Sequence, residues 1–228
     1  MVEIKHAINW YLTKTNHAIE KISALRPPVE SEELRFQYSA LIESIFSLID
    51  YIKDKSDAFG MAVNQFEEDI KTQINSEGEV TLKYMRNLRN SVVHRGIDIT
   101  ANGEVHGERI SILTPEGITN QNGAAITHPS ETSLDKLLYT MERVVKNLIT
   151  NKLNALGALQ PDDTEVIQKL SQAIRTAKLP AHMPPEVREM ASIEIPNLSE
   201  DLAKGIHNTL VQSLKDKLCV KMDVSYLP

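Results

Sequence analysis

The sequence SEELRFQYSALIESIFSLIDYI, residues 31–52, decides what kind of fold to expect. Ser31 is typical of helix N-caps, and Glu32 and Glu33 follow in the first turn, where acidic side chains favour a helix. The apolar residues then recur every three or four positions and form one broad stripe, at Leu34, Tyr38, Leu41, Ile45, Phe46, Ile49 and Ile52. This period predicts an amphipathic helix with one buried face.

Similar stripes occur on both sides of this helix. They predict further helices at about residues 3–25, 59–74, 80–95 and 133–157, with Pro27-Pro28 ending the first and Gly96 ending the fourth. Residues 97–128 instead combine isolated β-branched residues with Asn102-Gly103 and Asn122-Gly123, which are typical of hairpins and turns. We therefore predict a mainly α protein, with a helical bundle over residues 1–157 and a small β insertion at 97–128.

The last part of the chain, residues 158–228, has a different pattern. It predicts a helix at about residues 163–178, a proline-rich joint at Pro180, Pro184 and Pro185, and a helix capped by Ser199. From Leu218 to Val224 apolar and polar residues alternate, which predicts a strand that could pair with the β insertion. These elements predict a C-terminal α+β appendage.

The composition is that of an ordinary folded protein, with 41% hydrophobic and 25% charged residues. Charges interrupt every apolar stretch, and the first residues lack the apolar core of a signal peptide, so we expect a cytoplasmic protein with no membrane contact. Cys219 is the only cysteine, which excludes a disulfide within one chain. The histidines outside the fourth helix are scattered without metal-ligand spacing, so we expect neither metal nor cofactor.

The fourth predicted helix carries the residues that suggest chemistry. A residue advances about 100° around an ideal helix, so the apolar line through Thr81, Met85, Leu88 and Val92 fixes the buried side. Opposite that line the pattern places a basic, hydrogen-bonding face, made of Lys83, Arg86, Asn90 and His94. Arg89 falls on the flank, about 140° around the helix from His94.

Two interpretations of this helix end compete. His94 and Arg95 lie in the last turn before Gly96, where cations interact favourably with the helix dipole and need no further role. Alternatively, an imidazole can exchange protons with a ribose hydroxyl, while guanidinium groups hold phosphate oxygens, which suffices for metal-free RNA cleavage. Because one helix cannot easily bring Arg89 beside His94, this second interpretation predicts a two-fold dimer in which two such helices share a cleft.

Arg89 and Asn90, followed after three intervening residues by His94 at the end of a helix, resemble the signature of the HEPN superfamily. That signature is an arginine, four to six residues and a histidine, often with a polar residue directly after the arginine. The resemblance implies an antiparallel helical bundle that dimerises through its motif helices. In many members it also implies a metal-independent endoribonuclease that leaves 2′,3′-cyclic phosphate ends, and several members act as toxins or in phage defence.

The leading hypothesis is therefore a homodimeric, HEPN-type endoribonuclease that acts on RNA. In it His94 is the general acid or base, Arg89 stabilises the scissile phosphate and Asn90 orients one of them. Lys83, Arg86 and Arg95 are the candidate substrate-binding residues. A toxin–antitoxin or phage-defence role would add an antitoxin or regulatory protein as a partner. The competing hypothesis is a noncatalytic helical module whose basic face binds RNA, a nucleotide or a protein.

Overall fold

The computed structural model describes residues 2–161, 163–177, 183–225 and 227. The α-helices within these ranges are α1 (Val2–Ala24), α2 (Ser31–Asp54), α3 (Gln65–Ile74), α4 (Gly78–Arg95), α5 (Leu134–Ala155), α6 (Thr164–Thr176) and α7 (Pro185–Leu218). A short 3-10 helix covers Ser56–Phe59, and two strands, β1 (Gly103–His106) and β2 (Arg109–Ile112), form a hairpin. The prediction of a mainly helical protein is confirmed. No helix in the described ranges is both long and apolar enough to cross a bilayer.

The chain forms two compact units. The smaller unit consists of Met1–Asn9 and Leu153–Asp216, and the larger consists of Trp10–Lys152 and Lys217–Pro228. The candidate site on α4 belongs to the larger unit. The sequence-based division at residue 157 stays a prediction.

Helix α2 is the centre of the larger unit's core. Every residue of the apolar stripe that predicted it is buried, as are Ile42 and Leu48 beside the stripe. The N-cap prediction is wrong in detail: the cap position is Glu30, Ser31 is the first helical residue, and no side chain caps the helix. Burial of the apolar face stabilises this helix without a cap.

The approach to α4 differs from the prediction in two ways. The third helix begins at Gln65 rather than near Phe59, because the chain forms the 3-10 helix and then turns at Gly60, which has a φ of 61°. Helix α4 begins at Gly78 rather than near Val80. At Gly78 the backbone of α3 lies unusually close to the backbone of α4. A Cβ atom on Gly78 would lie 1.8 Å from the carbonyl oxygen of Lys71, so only glycine fits there.

The small β insertion is confirmed as the hairpin β1–β2, in which Gly103 pairs with Ile112 and His106 with Arg109. The chain reverses at Gly107, which has a φ of 62°, and not at Asn102-Gly103. Buried Asp135 on α5 anchors the hairpin by accepting hydrogen bonds from the Ile112 backbone N–H at 2.9 Å and from the Tyr38 hydroxyl. Burial raises the pKa of the Asp135 carboxyl.

The predicted C-terminal strand is wrong. Residues 219–225 follow α7 without strand pairing, and the N–H groups of Lys221 and Met222 instead donate to the carboxylate of Glu142, at 2.7 and 2.9 Å. Lys146 forms a fully buried ion pair with Glu142 at 2.6 Å and also donates to the Cys219 carbonyl at 2.8 Å. A carboxylate and an ammonium group therefore satisfy backbone groups that a strand partner would have satisfied.

In the smaller unit α7 is longer than expected. Ser199 does not cap a helix: it lies buried inside α7, where its hydroxyl contacts the Ser171 hydroxyl at 3.0 Å and accepts from Arg175 Nε at 2.7 Å. The helix begins instead at Pro185, a position that suits proline because the first helical N–H needs no partner. Pro180, part of the predicted joint, lies outside the described residues. The appendage in the described ranges is helical.

Candidate functional site at the end of helix α4

One face of α4 is buried as the sequence predicts. Thr81, Met85, Leu88 and Val92 are all buried, and this confirms the apolar line. Tyr84 is also buried and makes the buried face wider than predicted. Its hydroxyl donates to the Pro115 carbonyl at 2.7 Å, and its ring packs edge-on against the His128 ring. Burial raises the pKa of the Tyr84 phenol. The first half of α4 is therefore held firmly against the core.

The helix ends at Gly96, which adopts the left-handed conformation with a φ of 67°. Its N–H donates to the Ser91 carbonyl, and Arg35 from α2 donates to the Gly96 carbonyl at 2.8 Å. These bonds satisfy backbone groups that a helix end leaves free. The last turn of α4 is thus fixed beside the first turns of α2.

His94 lies in this last turn with its side chain exposed to solvent. It has no hydrogen bond or ion pair with any described residue, and the preceding Val93 is also exposed. The imidazole is therefore available to accept a proton from a bound molecule or to donate one to it.

Arg89 lies one turn earlier and leans toward α2. Its Nη1 is 3.9 Å from Oδ2 of Asp50, and a quarter of its side chain is exposed. Its Nε is buried and has no hydrogen-bond partner among the described residues. Asn90, partly exposed, likewise has no partner in the described part of the chain. The guanidinium thus retains donors for an anionic ligand, but it does not point to the same side of α4 as His94.

Arg86 is not on an open face. It donates to Asp50 Oδ1 at 3.0 Å and to the carboxylate of Glu67 on α3, and its guanidinium lies over the Phe46 ring at 5.5 Å. Lys53 approaches the same Glu67 carboxylate at 3.4 Å. The helical wheel placed Arg86 opposite the core because it does not show that α3 packs along that side of α4.

The two other candidate substrate-binding residues differ from each other. Arg95 donates to the Thr119 carbonyl at 3.1 Å, to the Thr119 hydroxyl, and to the Asn120 carbonyl at 2.6 Å, so it holds the segment that follows the hairpin. Lys83 is exposed and pairs with no residue that the structure describes. Of these two cations, only Lys83 has an uncommitted charge.

No sequence pattern singles out Asp50 or Arg35 as part of the site. Asp50 bridges Arg86 and Arg89, and Arg35 closes the end of α4. Both lie on α2, far in sequence from Arg89, Asn90 and His94. Charged residues are ordinary at exposed helix positions, so their residue types do not indicate a role in the site. Only the packing of α2 against α4 gives them a role.

No group of three or more His, Cys, Asp or Glu side chains within the described ranges is arranged to hold a metal ion. No protein-family model, curated protein or solved structure matches this chain. The resemblance to the HEPN superfamily therefore rests on Arg89, Asn90 and His94 and on their place at the end of a helix.

Proposed function

We propose that this protein is a HEPN-type, metal-independent endoribonuclease. The observation that carries the proposal is the end of α4, where His94, one turn after Arg89 and Asn90, is exposed and has no partner among the described residues. The nearby cations Arg86 and Arg95 are bonded to the protein itself. An imidazole that no structural bond occupies is suited to proton transfer.

The proposed reaction needs no group beyond these side chains. His94 accepts the proton of a ribose 2′-hydroxyl, whose oxygen attacks the adjacent phosphorus. The imidazolium then donates this proton to the 5′-oxygen as the bond between that oxygen and the phosphorus breaks. Arg89 stabilises the negative charge that develops on the phosphate oxygens, and Asn90 orients the phosphate or the imidazole. The products are a 2′,3′-cyclic phosphate and a 5′-hydroxyl.

A homodimer would solve the remaining geometric problem. Since Arg89 leans toward Asp50 and His94 faces solvent elsewhere, one chain does not present both to one phosphate. Two copies of α4 around a two-fold axis would place Arg89 of one copy near His94 of the other, with exposed Val93 in the contact.

Lys83 extends the RNA-binding surface in this proposal. Arg86 and Arg95 would contact RNA only by giving up their present bonds. We further propose a cytoplasmic role in toxin–antitoxin or phage-defence systems, with an antitoxin or regulatory protein that covers the end of α4.

The proposal is tested by incubating the purified protein with mixed RNA in EDTA and analysing the cleaved ends. We expect cyclic phosphate ends from the wild type and a loss of about 10²–10⁴-fold in rate for His94→Ala. Arg89→Ala should lose about 10²–10³-fold. His6→Ala, which removes another exposed helical histidine, should cleave like the wild type. Absence of EDTA-resistant cleavage, or full activity of His94→Ala, would refute the proposal.

The composite site is tested by mixing subunits of the two inactive variants. In a mixed dimer of Arg89→Ala and His94→Ala, one of the two sites keeps both residues if each site takes Arg89 and His94 from different copies. Random mixing then restores about a quarter of the wild-type activity. If both residues of a site come from one copy, the mixture remains inactive.

The noncatalytic module remains a second candidate because Asp50 partly neutralises Arg89, which is only a quarter exposed. In that case His94 and Lys83 would contact RNA without cleaving it. Fluorescence anisotropy with a labelled RNA distinguishes the two: His94→Ala would weaken binding while the wild type leaves the RNA intact.

A further inference from the structure

Two large aromatic side chains in the described part of the larger unit are exposed. Trp10 on α1 is 58% exposed, with the Lys14 ammonium group over its ring, and Phe36 on α2 is 65% exposed. Phe36 lines a groove between the two helices, and aromatic side chains are common anchors where one protein binds another.

Between these helices runs a groove of about 360 Å³. The helices contact each other through Tyr11 and Tyr51, whose ring centroids are 5.6 Å apart, and through the hydroxyls of Thr15 and Ser44, 3.0 Å apart. These pairings make α1 and α2 antiparallel neighbours, with Phe36 on the groove's rim and Lys14 beside Trp10. Small residues such as Ala40 and Ser47 keep the groove open.

The two sides of the groove carry opposite charges. Lys14 and His17 line it from α1, and Glu43 lines it from α2. Neither Lys14 nor Glu43 forms an ion pair with any residue in the described ranges, and both are exposed. The groove thus has a cation on one side and an anion on the other, and neither has an ion-pair partner in the described part of the chain.

We propose that this groove binds a second copy of the same chain, with α1 of each copy lying over α2 of the other. A two-fold axis parallel to the helices exchanges the two sides of the groove, so Lys14 of each copy meets Glu43 of the other. Phe36 of each copy then packs near His17 and the groove of its partner. A self-complementary surface needs this combination of an aromatic side chain, a groove and opposite charges. RNA fits less well, because the Glu43 carboxylate would repel its phosphates.

This surface is separate from the end of α4 and does not depend on the proposed nuclease activity. A protein that uses both surfaces would form assemblies larger than a dimer, so mass alone does not locate either one. The test must therefore identify which residues meet.

A carbodiimide that joins amines directly to carboxylates, without a spacer, provides that test on the unmodified protein. We expect a covalent dimer on a denaturing gel. In the dimer band from a mixture of nitrogen-15-labelled and unlabelled protein, we expect a cross-linked peptide that joins Lys14 of one copy to Glu43 of the other. Lys14→Arg and Glu43→Gln should each remove this cross-link, whereas Lys83→Arg, a change of the same kind on α4, should keep it. Absence of a covalent dimer, or cross-links only at other positions, would overturn the proposal.

Self-association provides the second measurement. Phe36→Asp should weaken self-association at least about 10-fold in analytical ultracentrifugation, because a charge replaces the aromatic side chain at the rim of the groove. Val63→Asp, which changes another exposed apolar residue (59% exposed), should associate like the wild type. Circular dichroism checks that both variants fold. If Phe36→Asp weakens RNA binding but leaves self-association unchanged, the groove is an RNA surface and the proposal is wrong.

Discussion

In the first half of α4, Gly78 packs against the backbone of Lys71, and the Tyr84 hydroxyl donates a hydrogen bond to the Pro115 carbonyl. In its last turn, the same helix leaves His94 exposed, with no hydrogen bond or ion pair to a described residue. One turn earlier, Arg89 has a buried Nε that donates to no described residue. The first half uses its side chains for packing, so changes there should alter stability. The last turn keeps unused hydrogen-bonding capacity, so changes there should alter function with little effect on stability.

The largest effect on stability is expected from Gly78→Ala. The added methyl group would overlap the Lys71 carbonyl, so α3 and α4 must move apart, at a cost of about 3 kcal/mol in the free energy of unfolding. Urea denaturation measures this loss. Gly205→Ala is the matched control: this helical glycine in α7 has open space around it, so the same change should stabilise by about 0.5–1 kcal/mol. Equal stability of Gly78→Ala and the wild type would contradict the packing described for this end of α4.

Tyr84→Phe should have the next largest effect. It removes the donor to the Pro115 carbonyl and leaves that buried acceptor unsatisfied, which costs about 1–2 kcal/mol. Tyr11→Phe serves as the control, because the Tyr11 hydroxyl bonds to no residue that the structure describes, and its unfolding midpoint should not change. A Tyr84→Phe variant as stable as the wild type would show that solvent replaces this bond.

Arg95→Ala should have a smaller and more local effect. Without the bonds to Thr119 and Asn120, backbone amides around Ala124 and Ile126 should exchange faster with deuterium, while the unfolding free energy falls by less than about 1 kcal/mol. Lys83→Ala should leave that exchange unchanged. The two variants thus have different expected effects: Arg95→Ala changes hydrogen exchange, and Lys83→Ala weakens RNA binding.

Much of the fold could be predicted because helical periodicity is a local property. The stripe of α2 and the apolar line of α4 follow from spacing alone. The C-terminal strand was predicted wrongly because its alternating pattern says nothing about a carboxylate such as Glu142, distant in sequence, that satisfies the backbone. Ser199 was mistaken for a cap because serine suits both a cap and a buried hydrogen bond.

The candidate site was predictable only in part. Sequence spacing placed His94 and Lys83 away from the apolar line, and both are exposed. It also placed Arg86 on that open face, but α3 covers that side and supplies Glu67. Contacts between helices, such as that between Asp50 and Arg89, depend on packing that no single-helix pattern contains.

The smallest expected effect concerns Asp98, just beyond α4. Hydrogen bonds from the Thr100 hydroxyl and backbone N–H lower the pKa of its carboxyl, and nearby Arg35 lowers it further. Because the pKa is lower in the folded state, the ionised Asp98 stabilises the folded protein at pH values above the ordinary aspartate pKa. This contribution to the unfolding free energy is lost as the pH falls through the lowered pKa. Carbon-13 NMR titration should show the Asp98 pKa rising toward its ordinary value in Thr100→Val. An unchanged pKa would mean that the hydroxyl contributes nothing.

The most direct test of the contrast between the two ends of α4 is to measure cleavage and stability on the same samples of His94→Ala. Since His94 is exposed and has no hydrogen bond or ion pair with any described residue, its removal should cost at most a helix-dipole interaction, about 0.3–1 kcal/mol of the unfolding free energy. The rate of RNA cleavage in EDTA should fall by about 10²–10⁴-fold. A variant that unfolds like the wild type and is nearly inactive is the predicted result. A variant that keeps wild-type cleavage, or that loses activity only in proportion to its loss of folded protein, would contradict the assignment of a functional role to the end of α4.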